Sequence, residues 1–455
     1  YQKKGLNFVL DVNSGAVQLL DDISYAVSGL LDENMGDTCP QSIIDALPDY
    51  TADEIREAYD ELYELKKAGQ LFAQDDYIDV SRYIPVNAPV KALCLHVAHD
   101  CNLRCKYCFA STGDFGQGRK IMPPEIAKKA IDFVIARSGV RHNIEVDFFG
   151  GEPLMAWDTV TQTVDYARSL EEKYNKKFRF TITTNGLLLD EDKRKYINEN
   201  MDNCVLSLDG RREVNDEFRK TVAGTGSYDT IVPKFKALVD ERDPNLDYYA
   251  RGTFTSHNLD FAEDVLSIAD AGFDRLSVEP VTADPGCGYD LTEDDLPKIE
   301  AEYDRLTDIM LERKKEGKPF TFFHFMVDLD QGPCVVKRLR GCGAGYEYVA
   351  VTPDGDIYPC HQFVGKDEFK QGSVLDQSFN MDIAQKFAGM NIYSRPKCQK
   401  CWAKFYCSGG CSAANYNMNH DMNDSYDLGC EMERKRLECA IYLKAMDKIC
   451  ANQSK

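Results

Sequence analysis

Cysteine spacing limits what this chain can be more than any other feature. Ten of its seventeen cysteines fall in a compact triplet, Cys101-x3-Cys105-x2-Cys108, and in a later group of Cys342, Cys360, Cys398-x2-Cys401-x5-Cys407-x3-Cys411 and Cys430. Where nothing marks a chain for secretion, such thiols stay reduced and bind metals more often than they pair as disulfides. Residues 1–22 mix polar and apolar side chains instead of joining a basic flank to an apolar core, so no signal peptide is expected. Tyr1 in place of Met suggests a trimmed start, and the expected location is cytoplasmic. Three thiolates in the triplet spacing suit three irons of a 4Fe-4S cube and leave the fourth iron open. Zinc or purely structural cysteines are the alternatives, but no fourth ligand is obvious nearby.

With 455 residues, the chain has room for two or three globular units. No apolar run approaches the ~20 residues that cross a bilayer, and the longest candidate, residues 320–327, contains His324. A membrane role is not expected. With 54 Lys and Arg against 75 Asp and Glu, a nucleic-acid partner is disfavoured, because affinity for polyphosphate comes from clustered cations.

Residues 1–83 read as a winged helix-turn-helix. A strand over residues 6–12 is followed by Leu20, Ile23, Val27, Leu30 and Leu31 on one helical face. A second helix opens on a capping box of Thr51 and Glu54, carries Ile55, Tyr59, Leu62 and Leu65 as its apolar stripe and stops at Gly69. Residues 77–80 are expected to return as a wing strand, with Pro85 and Pro89 in a linker. Acidic residues crowd 49–60 beside a single Arg56, so this face repels phosphate.

From residue 90 to 310 strands and helices alternate. Strands are expected at 91–97, 144–149, 178–183, 204–208, 249–255 and 276–281, and helices at 124–137, 159–173, 228–240 and 261–271. That pattern predicts the α/β fold class, a partial (β/α)6 TIM-like barrel with chemistry at the carboxyl ends of its strands. A charged helix over 294–316, a bridging segment over 311–340, a cysteine-rich region over 341–430 and a terminal helix within 431–455 complete the outline. Polar motifs follow successive strands: Gly150-Gly151-Glu152 the second, Thr184-Asn185 the third, Ser207-Leu208-Asp209 the fourth.

The triplet, with Tyr107 as an aromatic just before its third cysteine, resembles the signature of the radical S-adenosylmethionine (SAM) superfamily. The resemblance implies that Cys101, Cys105 and Cys108 hold a 4Fe-4S cluster whose open iron binds SAM, and that one electron cleaves SAM to a 5'-deoxyadenosyl radical. It makes Gly150, Gly151 and Glu152 the motif receiving the SAM amino group. Ser207 and Asp209 become ribose contacts, Thr184 and Asn185 a pocket edge, and Arg219 and Arg251 candidate partners of the SAM carboxylate. The later cysteines resemble the SPASM-type extension, which implies two auxiliary 4Fe-4S clusters. Cys398, Cys401, Cys407 and Cys430 would hold the distal one, and Cys342, Cys360 and Cys411 the nearer one. Cys334 or a substrate thiolate would complete the nearer set.

The acidic N-terminal unit resembles the peptide-recognition element of enzymes that modify ribosomally made peptides. Together these features are most similar to the maturases of cysteine-rich SCIFF peptides, which join cysteine sulfur to an α-carbon in a thioether. The implied partners are a cysteine-rich precursor peptide held by its leader and a low-potential electron donor of flavodoxin or ferredoxin type. Other SPASM enzymes remain alternatives, either sulfatase-type formylglycine-forming oxidases or carbon–carbon cross-linking maturases. A non-enzymatic iron–sulfur sensor is the further alternative. For the zinc-ribbon spacing of Cys398, Cys401, Cys407 and Cys411, structural zinc is the bland reading.

Overall fold

The computed structural model describes residues 1–83, 88–329 and 335–453; Pro85 and Cys334 lie outside the described residues. Gln2–Lys3 (β1), Leu6–Leu10 (β2) and Val17–Leu20 (β3) form an antiparallel sheet in that order. Asp22–Ser28 (α1), Gln41–Ala46 (α2) and Ala52–Lys67 (α3) follow. The expected capping box is present, with Thr51 N donating to Glu54 Oε2 at 2.8 Å and Glu54 N to Thr51 Oγ1 at 3.3 Å. Ile55, Tyr59 and Leu62 meet Val27 and Ile43 in a small core of their own, and Gly69 ends the run at φ +69°.

Two expectations for this unit are corrected. Leu20 belongs to β3, because Asp21 caps the start of α1 by accepting from Ser24 N, and α1 ends at Ser28 with Gly29 as its C-cap, short of Leu30. Residues 77–80 do not return as a wing but form the helix Tyr77–Tyr83 (α4). Asp75 accepts the Tyr77 N–H at 3.2 Å, which turns the chain into a helical start. The Tyr77 ring then meets the edge of Phe405, at 5.0 Å between centroids, rather than a sheet.

The barrel comprises Ala92–His99 (β4), Lys120–Ile121 (β5), Pro124–Arg137 (α5), Asn143–Gly150 (β6), Trp157–Tyr174 (α6), Lys177–Thr184 (β7), Glu191–Asn200 (α7), Asn203–Ser207 (β8), Arg212–Phe218 (α8), Tyr228–Asp240 (α9), Asp247–Phe254 (β9), Phe261–Asp270 (α10) and Arg275–Pro280 (β10). The six long strands pair in parallel in the order β4-β6-β7-β8-β9-β10, as expected of a partial (β/α)6 barrel. β4 is buried along its whole length, the pattern of a strand covered on both faces. Helices α7 and α8 were not foreseen.

Leu296–Lys315 (α11) leads to Thr321–Phe322 (β11), which extends the sheet beyond β10. After Val335–Arg340 (α12), Tyr348–Val351 (β12) pairs in parallel with β4, and Asp356–Tyr358 (β13) and Gly372–Ser373 (β14) continue antiparallel. The cysteine-rich region is therefore welded to the barrel through its first strand. Met381–Gly389 (α13), Pro396–Gln399 (α14), Lys404–Cys407 (α15) and Ser412–Asn419 (α16) carry the chain to the long helix Asp427–Gln453 (α17), which packs along α11. This last helix starts earlier than expected and takes Cys430 into its first turns.

Candidate active site

Along a strand, neighbouring side chains face opposite ways, and this alternation builds the site. Phe148, Ile182, Leu206, Ala250 and Val278 are fully buried in the main hydrophobic core. Their successors Phe149, Thr183, Ser207, Arg251 and Glu279 wall a cavity of about 250 Å3. The same cavity is lined by Cys101, Cys105, Tyr107 and Cys108, by Gly150, Gly151 and Glu152, and by Thr184, Asn185 and Arg219.

The glycine pair is a steric requirement. A Cβ on Gly150, whose φ is +127°, would stand 2.2 Å from the Ala98 carbonyl oxygen, and one on Gly151 would stand 2.1 Å from that of Asp100. The close approach allows Gly151 N to donate to Ala98 O at 2.7 Å and Glu152 N to Asp100 O at 2.9 Å, which ties the end of β6 to the cysteine loop. Glu152 is buried, and its carboxylate accepts from Thr184 Oγ1 at 2.7 Å, Leu154 N at 3.0 Å and Asn185 N at 2.7 Å. Burial raises its pKa, while those hydrogen bonds and Arg219 oppose the rise. Three of roughly four acceptor positions are thus taken by the protein, leaving little more than one for a ligand.

Asn185 fastens the loop from the other side, its Nδ2 lying 2.8 Å from Asn102 Oδ1 and 3.5 Å from Cys101 Sγ. Behind the loop, Arg219 Nη1 donates to the Tyr107 hydroxyl at 2.8 Å, and that hydroxyl donates to Asp209 Oδ2 at 2.6 Å. Asp209 also accepts from Thr253 N at 3.2 Å and lies 3.6 Å from Arg219 Nη1. Asp209 is therefore spent on holding Tyr107 and Arg219, and it stands apart from the residues that line the cavity. Arg219 reaches the wall with its Nε lacking a partner. Arg251 is half-exposed and paired with Glu279 at 2.5 Å.

Burial pushes Cys101 up to about 12, helped by Glu152, and Cys105 up to about 11, against the pull of Arg219.

A second cavity, of about 330 Å3, is lined by Cys398, Cys401, Cys407 and Cys430. Cys398 lies in α14, Cys407 ends α15 and Cys430 projects from α17, so three helices contribute to one space. Burial pushes Cys360 up to about 12, against backbone hydrogen bonds from Gln362 and Phe363 and with smaller contributions from Cys411 and Cys342. Among the described residues no three acidic, histidine or cysteine side chains converge on a single ion. Walls of cysteines around a space suit a multi-iron cube better than one zinc.

Sequence reasoning missed Glu279, His361 and Gln362, which line the first cavity. Glu279 sits near the end of the sixth strand, where the strand-end rule could have found it. His361 carried no local signal, because only the pairing of β12 with β4 brings the segment after Cys360 to the barrel mouth.

Residues 95–246 match the Radical SAM superfamily, and residues 342–402 match SPASM, an iron-sulfur cluster-binding domain. The cysteine-type anaerobic sulfatase-maturating enzyme of Clostridium novyi (strain NT) is 25% identical over 354 residues, which cover 73% of this chain and 90% of that protein. In fold, the chain is similar to native anSMEcpe with bound AdoMet, with a TM-score of 0.64 at 20% identity over 81% of this chain and 100% of that one. It is also similar to Streptococcus suis SuiB bound to precursor peptide SuiA, with a TM-score of 0.54 at 17% identity over 92% and 95% of the two chains.

Proposed function

The chain carries a radical SAM domain and a SPASM domain, and from this premise we propose that it is a peptide maturase that forms thioether bonds between cysteine sulfur and an α-carbon of a precursor peptide. Those domains imply SAM and 4Fe-4S clusters, and the residues present fit them. Cys101, Cys105 and Cys108 share a cavity with a glycine-lined strand end and an arginine, and four further cysteines wall a space of their own. When bound, the cluster and SAM supply a one-electron cleavage that yields a hydrogen-abstracting radical.

The protein's own residues position and shield that chemistry. Gly150 and Gly151 let the backbone approach the cosubstrate, Glu152 offers its remaining acceptor capacity to an ammonium group, and Ser207 offers a hydroxyl to the ribose. Arg219 and Arg251 supply positive charge for a carboxylate. Tyr107 and Asp209 hold the cysteine loop in register with the strand ends.

One observation carries the thioether reading: His361 and Gln362, immediately after Cys360, wall the same cavity as the triplet. A peptide α-carbon in that cavity would lie close to the segment that carries Cys360, and Cys342, Cys360 and Cys411 would hold a cluster suited to bind a substrate thiol. Joining carbon to sulfur there would release one hydrogen atom from carbon, one proton from sulfur and one electron, and clusters held by the later cysteines would supply the acceptor for that electron. Cys398, Cys401, Cys407 and Cys430 would complete the distal cluster. SuiB, bound to its precursor peptide, supports a peptide substrate. The N-terminal unit would take the leader, and a flavodoxin or ferredoxin would supply electrons.

The test is anaerobic incubation of the reconstituted protein with SAM, reductant and a cysteine-rich precursor. Loss of a pair of hydrogens per cross-link, with one SAM consumed and fragmentation that places sulfur on an α-carbon, is expected. The relative of sulfatase-maturating type favours a second outcome, an aldehyde at a former cysteine; capture of that product by a hydrazide would replace the thioether reading.

A further inference from the structure

Arg395 is buried, 3% exposed, and precedes the Pro396 that opens α14. Its Nη1 donates to the Gly409 carbonyl at 2.6 Å and its Nη2 to Ser412 Oγ at 3.0 Å, while Nε has no partner. Both anchors are neutral. Among the described residues no carboxylate pairs with this guanidinium, and a buried cation without a counter-charge is costly. Its two anchors lie in and just after the turn between Cys407 and Cys411; burial, the largest influence, lowers its pKa, and Cys398, Cys407, Cys411 and Cys342 oppose that fall.

The space it fills is reserved for it. Gly409, at φ +88°, would bring a Cβ to 2.1 Å from Nη1, so the turn between Cys407 and Cys411 is shaped around the guanidinium. A thiolate-ligated cube carries net negative charge, and reduction adds one more. A fixed cation near two such cubes favours the reduced state of each, and in a dry setting its field is little screened.

Resting on the reading that these seven cysteines hold two clusters, we infer that Arg395 is a positioning residue that raises the reduction potentials of both auxiliary clusters and so makes them fit to receive the electron released on bond formation. It touches neither SAM nor peptide. A merely structural arginine would hold the Cys407–Cys411 turn through its two hydrogen bonds and leave the potentials alone.

The experiment is a potentiometric titration followed by electron paramagnetic resonance on the full reconstituted chain. Cys101, Cys105 and Cys108 are replaced by Ala so that only auxiliary signals remain. Arg395→Met is expected to lower the reduced-to-oxidised ratio at fixed potential at least tenfold, which is 59 mV for a one-electron couple. Arg395→Lys is expected to stay within threefold of the parent. Arg395→Met with full iron and both ratios within threefold of the parent overturns the inference. If Arg395→Met loses auxiliary iron, Arg395→Lys decides: iron and ratios kept support the charge role, whereas iron kept with a tenfold lower ratio overturns it. A parent protein that binds no auxiliary iron would refute the cluster reading itself, so the two failures are distinguishable.

Discussion

The two cysteine regions are built on opposite principles. The triplet loop is held by protein alone: Arg104 N donates to Lys220 O at 2.7 Å, Lys106 N to Phe218 O at 3.1 Å, and Asn185, Tyr107 and Arg219 brace it from both sides. The region around Cys398 to Cys411 instead consists of four-residue helices, α14 and α15, with Leu339, Ile392, Cys398 and Phe405 as its small core. One site is braced by a large scaffold, and the other is built from short helices joined by a small core and by contacts such as those of Arg395 with Gly409 and Ser412. The comparison teaches where metal loss should be tolerated and where it should not.

The largest expected effect that would sharpen this contrast comes from replacing Cys101, Cys105 and Cys108 together by Ala. Cleavage of SAM, followed by chromatography of 5'-deoxyadenosine, should fall to the background rate, while about eight irons remain in the auxiliary sites. Residual cleavage at the parent rate would break the assignment of the triplet.

Next in size, Cys398→Ala with Cys401→Ala should open the C-terminal region locally. Hydrogen exchange should report lost protection over residues 396–430 and unchanged protection in β6 and β7. Equal loss in both regions would erase the distinction between a scaffold-braced site and a metal-dependent one.

A smaller effect is expected at Tyr107. Tyr107→Phe removes a donor from Asp209 and an acceptor from Arg219, leaving buried polar groups unpaired at a cost of about 2 kcal/mol. The thermal midpoint should drop and SAM should bind more weakly, as read by calorimetry. An unchanged midpoint would mean that the loop does not depend on this clamp.

The smallest effect concerns Asp147, in β6. Burial, and then the Glu145 charge, lifts its pKa to about 7, against a hydrogen bond from Thr181. Its folded value lies above the unfolded 3.8, so the folded state binds more protons between the two. Stability is then greatest below about pH 4 as far as this group is concerned, and is lost as pH rises through about 7. Asp147→Asn should gain about 1–2 kcal/mol over the parent at pH 8 and little at pH 4, measured by denaturant unfolding. A gain independent of pH would point to packing in place of ionisation.

Much of this was legible from local pattern. The six long strands of the barrel, helices α5 and α9 and the capping box of α3 follow from periodicity and short-range signals. The cysteine triplet, the glycine pair and Ser207 all reach the cavity, because each sits at a strand end where a parallel sheet presents its chemistry. The wing was misread because a four-residue run with β-branched residues cannot say whether a neighbouring strand exists, and here Asp75 and Phe405 offer a helix instead. Asp209 is expected by resemblance as a ribose contact, and local spacing does not reveal that its carboxylate accepts from Tyr107 and lies 3.6 Å from Arg219.

Sequence by itself determined the periodic elements and the spacing of the cysteines, since both depend on residue type at fixed positions along the chain. Only the tertiary structure decided which side chains share a cavity. The meeting of β12 with β4, the arrival of His361 at the barrel mouth and the burial of Arg395 against Gly409 and Ser412 are outcomes of packing, and no local spacing encodes them.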